Sequence, residues 1–238
     1  MSSKRLCWAV ILFLGVPNSG MAQDYLFQNF AASDALGQMH QSMRDNMMPS
    51  ARERPAPQRK SKQRAVVSTT YRASPAVSLR VQRQFTDFVE KTSGRQAGQQ
   101  VREIFRKRNP VASWVSIVKA DGFRSGDVVD AVAAYLILNW MMANGSDNNQ
   151  QQASAVRQQV RQALSNNPGF SRLGNDERQA LAETSMLNFL VQHAAYIDAL
   201  KRGDKVMIRR LSDAAVARFQ NQMNMNLREV KITAAGFR

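Results

Sequence analysis

Apolar residues in the C-terminal two thirds of the chain recur at the three- and four-residue spacings that one face of an amphipathic helix requires. The first helix has Ser74 at its N-cap position and Pro75 in its first turn, and Gly94 ends it. A second helix follows this glycine, and a third, shorter one begins at Pro110. The apolar positions of the three helices, in chain order, are Val81, Phe85, Phe88, Val89, then Ala97, Val101, Ile104, Phe105, and finally Trp114, Ile117, Val118.

The segment from Gly126 to Ala143 is the most apolar part of the chain beyond its leader, and it is hydrophobic nearly all round. A helix of this kind belongs in the middle of a bundle, and Ser125 is placed to cap it. Asp127 and Asp130 leave about 13 uncharged residues, fewer than the roughly 20 that a membrane span needs. The sequence therefore predicts a buried central helix and no transmembrane segment in the mature chain.

Three further helices complete the pattern. The first of them covers residues 153–164, a long one runs from its cap Asn175 to its stop Gly203, and Asp204 begins the last. The stripe of the long helix is Met186, Leu190, His193, Ile197 and Leu200. The tail LREVKITAAGF predicts a short strand or an extended arm. The predicted fold class is all-α, an irregular bundle of six or seven helices.

The first residues of the chain have the three parts of a secretory signal peptide. Lys4 and Arg5 form a basic start, an eleven-residue apolar run follows, and a small-x-small cleavage site ends the leader. We expect the mature protein to begin at Gln23 and to be periplasmic or secreted. The single cysteine, Cys7, lies in the leader, so the mature chain has no disulfide, thiolate nucleophile or cysteine zinc site.

Two segments separate this leader from the helical domain. Residues 23–48 are weakly amphipathic and rich in methionine. Residues 49–75 contain four of the seven prolines, with seven basic residues and one acid between Arg52 and Arg72. Because few large apolar groups are available there to offset the entropy of ordering, the sequence predicts a disordered basic linker. The predicted division of the chain is 1–22, 23–48, 49–75 and 76–238.

The formal net charge of +15 makes the chain strongly basic. Such a charge favours anionic partners, namely anionic lipid, wall polymer or an acidic envelope protein. Nucleic acid is not expected, because Tyr71 is the one aromatic residue among the clustered charges and the predicted compartment is outside the cytoplasm. A merely solvated spacer is the competing interpretation. The candidate binding residues are Arg59, Lys60, Lys62, Arg64, Arg95, Arg102 and Arg106.

The sequence contains no Ser-His-Asp signature, HExxH motif, glycine-rich phosphate loop or paired Cys/His spacing. Asp127 stands at the start of the central helix, where a carboxylate caps free N–H groups. Asp130 lies deeper in the apolar segment and needs a partner, either an arginine or backbone donor or a metal ion. His193 has the position of a hydrogen-bonded core histidine. A catalytic role would require a cleft that His193 shares with Glu183 or Asp130, so these three residues are the pocket candidates.

Met39, His40, Met43 and Met47 combine thioether and imidazole groups, which are ligands that suit Cu(I). The same spacing describes a methionine-rich apolar face that adapts to a partner. These four residues are therefore copper candidates under one interpretation and a contact surface under the other. No cofactor and no other metal site is predicted.

The segment DVVDAVAAYLILNWMMANG and the terminal AAGF resemble an uncharacterised family of exported bacterial proteins. The resemblance covers roughly residues 76–238 and implies one helical domain in a bacterial envelope or secreted location. It implies no activity, because none is attached to the family. The matching positions are Asp127, Asp130, Ala134, Tyr135, Asn139 and Trp140.

Two functions remain open at this point. The first is a non-enzymatic envelope module, in which the helical domain binds a protein or an anionic surface and the basic linker tethers it. The second is an enzyme or small-ligand binder with a pocket between helices. A close-packed interior around Asp130, Glu183 and His193 favours the first function, and convergence of two of them in a pocket favours the second.

Overall fold

The computed structural model describes residues 67–238, which form eight α-helices and a two-stranded hairpin, so the all-α prediction is confirmed. The count exceeds the predicted six or seven helices, because Pro168–Ser171 forms a short helix of its own. A 3-10 turn, Lys119–Asp121, follows the helix Pro110–Val118, and β1 (Ile232–Thr233) pairs antiparallel with β2 (Gly236–Phe237). The predicted signal peptide, the methionine-rich segment and residues 49–66 of the predicted linker lie outside the described residues. The helices are α1 (Pro75–Ser93), α2 (Arg95–Lys107), α3 (Pro110–Val118), α4 (Val128–Asn144), α5 (Gln150–Ser165), α6 (Pro168–Ser171), α7 (Asn175–Arg202) and α8 (Lys205–Met223).

Helix α4 is the centre of the bundle. Every residue from Val128 to Trp140 is buried, and α5, α7 and α8 pack around the helix. Its side chains are apolar on all sides, which is why it has no solvated face. The prediction of a buried central helix is therefore confirmed. Within residues 67–238, no helix has the length and hydropathy of a membrane span.

Helix α7 is the longest, with 28 residues, and α1, α3, α4 and α8 pack against it. All its side chains from Gln179 to Gln192 are buried, the polar ones included. The single apolar stripe predicted from Met186 onward is therefore wrong, and its last member, Leu200, is 46% exposed. Burial along α7 depends on how many helices surround each turn, which the periodicity of one helix does not contain.

Helices α1 and α2 form a helical hairpin at the edge of the bundle. Helix α1 packs on α7 as well as on α2, whereas α2 packs chiefly against α1. The two cross closely at Gly98, where a Cβ atom would lie 2.8 Å from the Cβ of Glu90. Phe105 packs against Phe85 with 6.0 Å between the ring centroids. One face of α2 is thus covered by α1, and its opposite face is exposed.

The start of α4 differs from the predicted one, because Asp127 rather than Ser125 is its N-cap. Asp127 Oδ1 accepts a 2.9 Å hydrogen bond from the N–H of Val129. The two residues before Asp127 cannot join the helix. Gly126 has a φ of 89°, outside the helical region, and its carbonyl is bound by Tyr71.

The starts of α7 and α1 also differ in detail. Gly174 has the N-cap position of α7, and Asn175, the predicted cap, is the first helical residue. The N–H of Gly174 donates to Glu177 Oε2 at 2.7 Å. Ser74 is the N-cap of α1 as predicted, but its side chain makes no capping hydrogen bond.

Residues 67–74, which we call the N-terminal arm, run in extended conformation along the start of α4. The N–H of Tyr71 donates to the carbonyl of Gly126 at 3.0 Å, and the N–H of Val128 donates to the carbonyl of Thr69 at 3.0 Å. Val128 is the first residue of α4, so its N–H has no partner within the helix. The arm therefore supplies a backbone acceptor to the start of the central helix.

Two side-chain amides of α7 hold the arm from another side. Asn175 Oδ1 accepts a hydrogen bond from the N–H of Arg72 at 2.7 Å, and Asn175 Nδ2 donates to the carbonyl of Arg72 at 2.9 Å. One turn later, Gln179 binds both backbone groups of Ser74, at 2.8 and 2.9 Å. Each amide acts as a peptide group of a neighbouring strand would. The predicted disorder of residues 49–75 is therefore wrong for 67–75, because these partners fix the backbone.

The C-terminal tail covers the other end of α4. The Trp140 indole N–H donates to the carbonyl of Val230 at 2.7 Å, and Asn144 Nδ2 donates to the carbonyl of Leu227 at 3.0 Å. Beyond these residues the chain forms the β1–β2 hairpin, which packs against α5. The sequence predicted a short strand or an extended arm here. The structure shows two short strands that form a hairpin and pack against α5.

Replacing Trp140 by alanine should lower the free energy of unfolding by about 3–5 kcal/mol, because the side chain is 8% exposed and its loss leaves a cavity. Trp140→Phe retains most of the apolar ring and loses the hydrogen bond to Val230. The lost hydrogen bond should lower the free energy of unfolding by about 1 kcal/mol in addition to the loss from packing. Urea unfolding measures both losses. A loss below about 1 kcal/mol for Trp140→Ala would contradict the buried position of this side chain.

Chains that begin at residue 67 and at residue 75 test the arm. The shorter chain loses the backbone bonds of Thr69, Tyr71, Arg72 and Ser74, each worth roughly 0.5–1.5 kcal/mol net. We expect the free energy of unfolding of the chain from residue 75 to be about 3 kcal/mol or more below that of the chain from residue 67, as measured by urea unfolding. The chain from residue 67 should be about as stable as the chain from residue 23. Equal stability of the two shorter chains would show that the arm does not contribute to folding.

Candidate functional site

Two acids at the start of α4 face two arginines one turn apart on α5, and we call these four residues the acid–arginine cluster. Asp127 Oδ2 lies 2.8 Å from Arg161 Nη2. Arg161 also donates from Nη1 to the side-chain oxygen of Thr69 at 2.9 Å. Arg161 therefore joins α5, the cap of α4 and the N-terminal arm. The remaining two members of the cluster are Asp130 and Arg157.

Asp130 is 3% exposed and has several donors. Its Oδ2 accepts hydrogen bonds of 2.8 Å from the backbone N–H of Arg124 and from Arg157 Nη2, and Arg157 Nε lies 2.7 Å from its Oδ1. Arg157 also donates to the carbonyl of Gly122 and lies over the ring of Phe123. Burial raises the pKa of Asp130, while the Arg124 N–H and Arg157 oppose the rise. The sequence left two kinds of partner open for Asp130, an arginine or backbone donor and a metal ion. The structure provides an arginine and a backbone donor.

Glu183 lies where the arm, α1 and α7 meet, and it is 5% exposed. Its Oε1 accepts hydrogen bonds from Ser78 Oγ at 2.7 Å and from Gln179 Nε2 at 2.8 Å. Both of these donors are neutral. Burial raises the pKa of Glu183, and the two hydrogen bonds oppose the rise. Burial also raises the pKa of Tyr71 to about 12, with added repulsion from Glu183 and Asp127, so the phenol is neutral at physiological pH.

His193 stacks on Phe189 in the same helix, with 5.4 Å between ring centroids and 10° between the planes. Its Nδ1 is buried and has no hydrogen-bond partner among the described residues. The expectation of a hydrogen-bonded core histidine is thus wrong for this nitrogen. Burial lowers the pKa of His193 to about 4, and Lys201 adds to the effect, so the ring is neutral at pH 7. A stacked neutral imidazole contributes packing rather than charge.

Among the described residues, the three pocket candidates have different partners. Glu183 and His193 are ten residues apart on α7, which corresponds to about 15 Å along the helix axis. Asp130 is bound by α5 and the loop before α4, whereas Glu183 is bound by α1 and α7. In the described part of the chain, no three His, Cys, Asp or Glu side chains are grouped to hold a metal ion.

A second polar group, which the sequence analysis missed, connects α8 to α4. Arg218 is 7% exposed and donates from Nη2 to Asn139 Oδ1 at 2.7 Å, and Tyr135 forms another hydrogen bond with it. Burial lowers the pKa of Arg218, and Tyr135 opposes this. Arg218 lies seven residues after Leu211 and three after Ala215, so helical spacing already places it on the buried face.

The predicted binding residues of α2 lie on its exposed face. Arg102 is paired with Glu90 of α1, and Arg106 Nη1 lies 2.6 Å from Glu103 Oε1 within α2. Arg95 begins the same exposed face. The other basic candidates and the copper candidates lie outside the described residues, namely Arg59, Lys60, Lys62, Arg64, Met39, His40, Met43 and Met47.

Glu183→Gln should make the protein more stable at neutral pH. The folded chain holds the Glu183 proton more tightly than the unfolded chain, so stability falls as the pH rises from the ordinary glutamate value of 4.5 through the raised pKa. The amide removes this loss, and its advantage should vanish as the pH falls to 4. Thermal unfolding between pH 4 and 8 measures the difference. Glu103→Gln, at an exposed position, is the control and should show no such gain.

A result in which Glu183→Gln destabilises the protein equally at pH 4 and pH 7 would contradict this assignment. It would mean that the hydrogen-bond geometry around Oε1, rather than the charge of the carboxylate, sets the stability of the region.

The comparisons with known proteins identify a family and no activity. No curated protein and no solved structure matches the chain at a significant level. A family model described as "Family of unknown function (DUF6683)" matches residues 1–238. The resemblance to an uncharacterised family is thereby confirmed, while bacterial origin and export stay predictions. The chain belongs to DUF6683, a family whose function is unknown.

Proposed function

We propose that the protein is a non-enzymatic binding module of the cell envelope, and that it contacts an anionic surface through the open face of α2. The observation that carries this proposal is the stripe of Arg95, Arg102 and Arg106, which stay exposed while Arg102 is paired with Glu90 and Arg106 with Glu103. Spacings of seven and four residues place the three guanidinium groups along one side of the helix. The basic segment before the described domain, with Arg59, Lys60, Lys62 and Arg64, adds to the same contact.

The position of α2 supports this function. Within residues 67–238, α2 packs chiefly against α1, and its outer face is exposed. The helix contains four basic residues and one acid. A basic helix at the edge of a domain is suited to a flat, charged partner, since several side chains reach the surface at once.

The distribution of charge over the domain supports it as well. Residues 67–238 contain 24 Lys and Arg and 14 Asp and Glu. Buried charges nearly cancel, because Asp130 is paired with Arg157 and Arg218 is buried as Glu183 is, so the surface keeps this basic excess. An excess of this kind attracts anionic partners over a distance of about 8–10 Å at ordinary ionic strength.

The candidate residues for catalysis support a binding role over an enzymatic one. Asp130 is paired with Arg157, Glu183 is bound by Ser78 and Gln179, and His193 is stacked on Phe189. Each has a partner that serves packing or capping. A reaction site requires an acid, a base and a substrate position within one cleft, and these three residues do not converge on one.

Co-sedimentation with vesicles and with insoluble wall polymer tests the proposal. The processed chain, residues 23–238, should bind vesicles that contain anionic lipid and release them at high salt. The triple variant Arg95→Gln, Arg102→Gln and Arg106→Gln should bind roughly 100-fold more weakly, because each basic residue near an anionic surface is worth about 1 kcal/mol. Charge reversal at Arg59, Lys60, Lys62 and Arg64 should weaken binding further.

The control is the variant Lys119→Gln, Arg172→Gln and Lys231→Gln, which removes the same charge from other exposed positions. It should bind nearly as well as the parent chain. Equal losses in both triple variants would indicate a general charge effect and would overturn the assignment to α2. Urea unfolding of both variants establishes that the domain remains folded.

A further inference from the structure

The corner between α7 and α8 carries two exposed aliphatic side chains. Among the described residues, the exposed large hydrophobic side chains are Leu79, Leu200 and Val206, with exposed fractions of 59%, 46% and 72%. Leu200 lies in the last turn of α7, and Val206 lies in the first turn of α8. Two of the three exposed side chains are thus confined to a stretch of seven residues.

The backbone of this corner is held by its own hydrogen bonds. Gly203 adopts the left-handed conformation with a φ of 64°, which ends α7. The N–H of Asp204 donates to the carbonyl of Ala199 at 2.9 Å, and Asp204 Oδ1 accepts from the N–H of Met207 at 2.9 Å, which caps α8. The backbone between Leu200 and Val206 is therefore fixed, so binding at this corner costs little backbone entropy.

Basic side chains flank both aliphatic ones. Lys201 follows Leu200 directly, Lys205 precedes Val206 directly, and both lysines are exposed. Arg202 lies between them and is paired with Asp198 at 2.6 Å. Lysine side chains of this kind can place their ammonium groups among anionic headgroups while their neighbours enter the apolar layer.

We propose that this corner enters the headgroup region of an anionic lipid bilayer, with Leu200 and Val206 inserted and Lys201 and Lys205 in contact with lipid phosphates. The aliphatic side chains favour a bilayer over a wall polymer, since a polymer of charged groups has no apolar layer to receive them. This proposal rests on the proposed function in one respect, since it identifies the anionic surface as a lipid bilayer. It uses residues of a different face from α2, so either proposal can be wrong while the other is right.

A polarity-sensitive fluorophore tests the insertion. The only cysteine of the whole chain is Cys7, so the processed chain, residues 23–238, accepts a single label at Val206→Cys. An NBD label at this position should brighten and shift to the blue when vesicles of phosphatidylglycerol and phosphatidylcholine are added. The matched control is Leu79→Cys with the same label, at an aliphatic position of similar exposure, and its emission should not change.

Substitution at the corner measures its share of the affinity. The double variant Leu200→Ser and Val206→Ser should bind these vesicles at least tenfold more weakly, whereas Leu79→Ser should bind as the parent does. Pure phosphatidylcholine vesicles should give little response with any variant. All these side chains are on the surface, so folding should be retained, and thermal unfolding checks this.

Three results would overturn the inference. If labelled Val206→Cys shows no response while the chain co-sediments, another face binds lipid, and the proposed role of α2 survives alone. If the label responds to protein concentration without vesicles, a second copy of the chain covers the corner. If the chain binds wall polymer but no vesicle, the lipid assignment is wrong. If the label responds as expected while the α2 triple variant binds normally, the inference stands and the proposed role of α2 fails.

Discussion

The burial of α4 on all sides is the constraint on which the rest of the structure depends. A helix that is enclosed along its whole length must find partners for its terminal backbone groups inside the protein. At its start, the side chain of Asp127 and the carbonyl of Thr69 bind two free N–H groups. Towards its end, Trp140 and Asn144 bind the tail that covers this region. The arm and the tail are therefore parts of the fold, although neither is helical.

Side-chain amides form hydrogen bonds to extended backbone that a neighbouring strand would form in a β-protein. Asn175 and Gln179 bind both backbone groups of arm residues, and Gln159 does so for Phe237 in the C-terminal hairpin. A Cβ on Gly236 would lie 2.5 Å from Gln159 Oε1, so glycine is required next to this contact. Extended segments can thus be fixed on a helical surface without a sheet.

Buried polar groups in this protein are used for assembly. The acid–arginine cluster joins α4 to α5, Arg218 joins α8 to Asn139 of α4, and Glu183 joins α7 to α1. The positions that carry the family resemblance on α4 belong to these contacts, since Asp127, Asp130, Asn139 and Trp140 each bind another element. These contacts give the four positions a structural role in the burial of the helix. The functions that we propose use the surface, namely the basic face of α2 and the α7–α8 corner.

The longer helices, their order and the central position of α4 were predictable from the sequence, because hydrophobic periodicity and capping residues are local signals. It also indicated that Asp130 needs a buried partner, since an ionised group in an apolar segment is costly. It did not identify Arg157 as that partner, although two arginines four residues apart on α5 match two acids three residues apart on α4. Pairings of this kind join residues far apart in the chain, and no local pattern records them.

The order of the arm, the environment of His193 and the exposure of Leu200 on α7 depend on tertiary contacts. Residues 67–74 have the composition of a linker, yet they are ordered because Gly126, Asn175 and Gln179 provide partners that lie 55 to 105 residues away. Leu200 fits the helical period and is exposed, whereas Ala199 beside it is fully buried, because the bundle covers a different side of this last turn of α7. Periodicity states which side chains share a face, and packing decides which faces are covered.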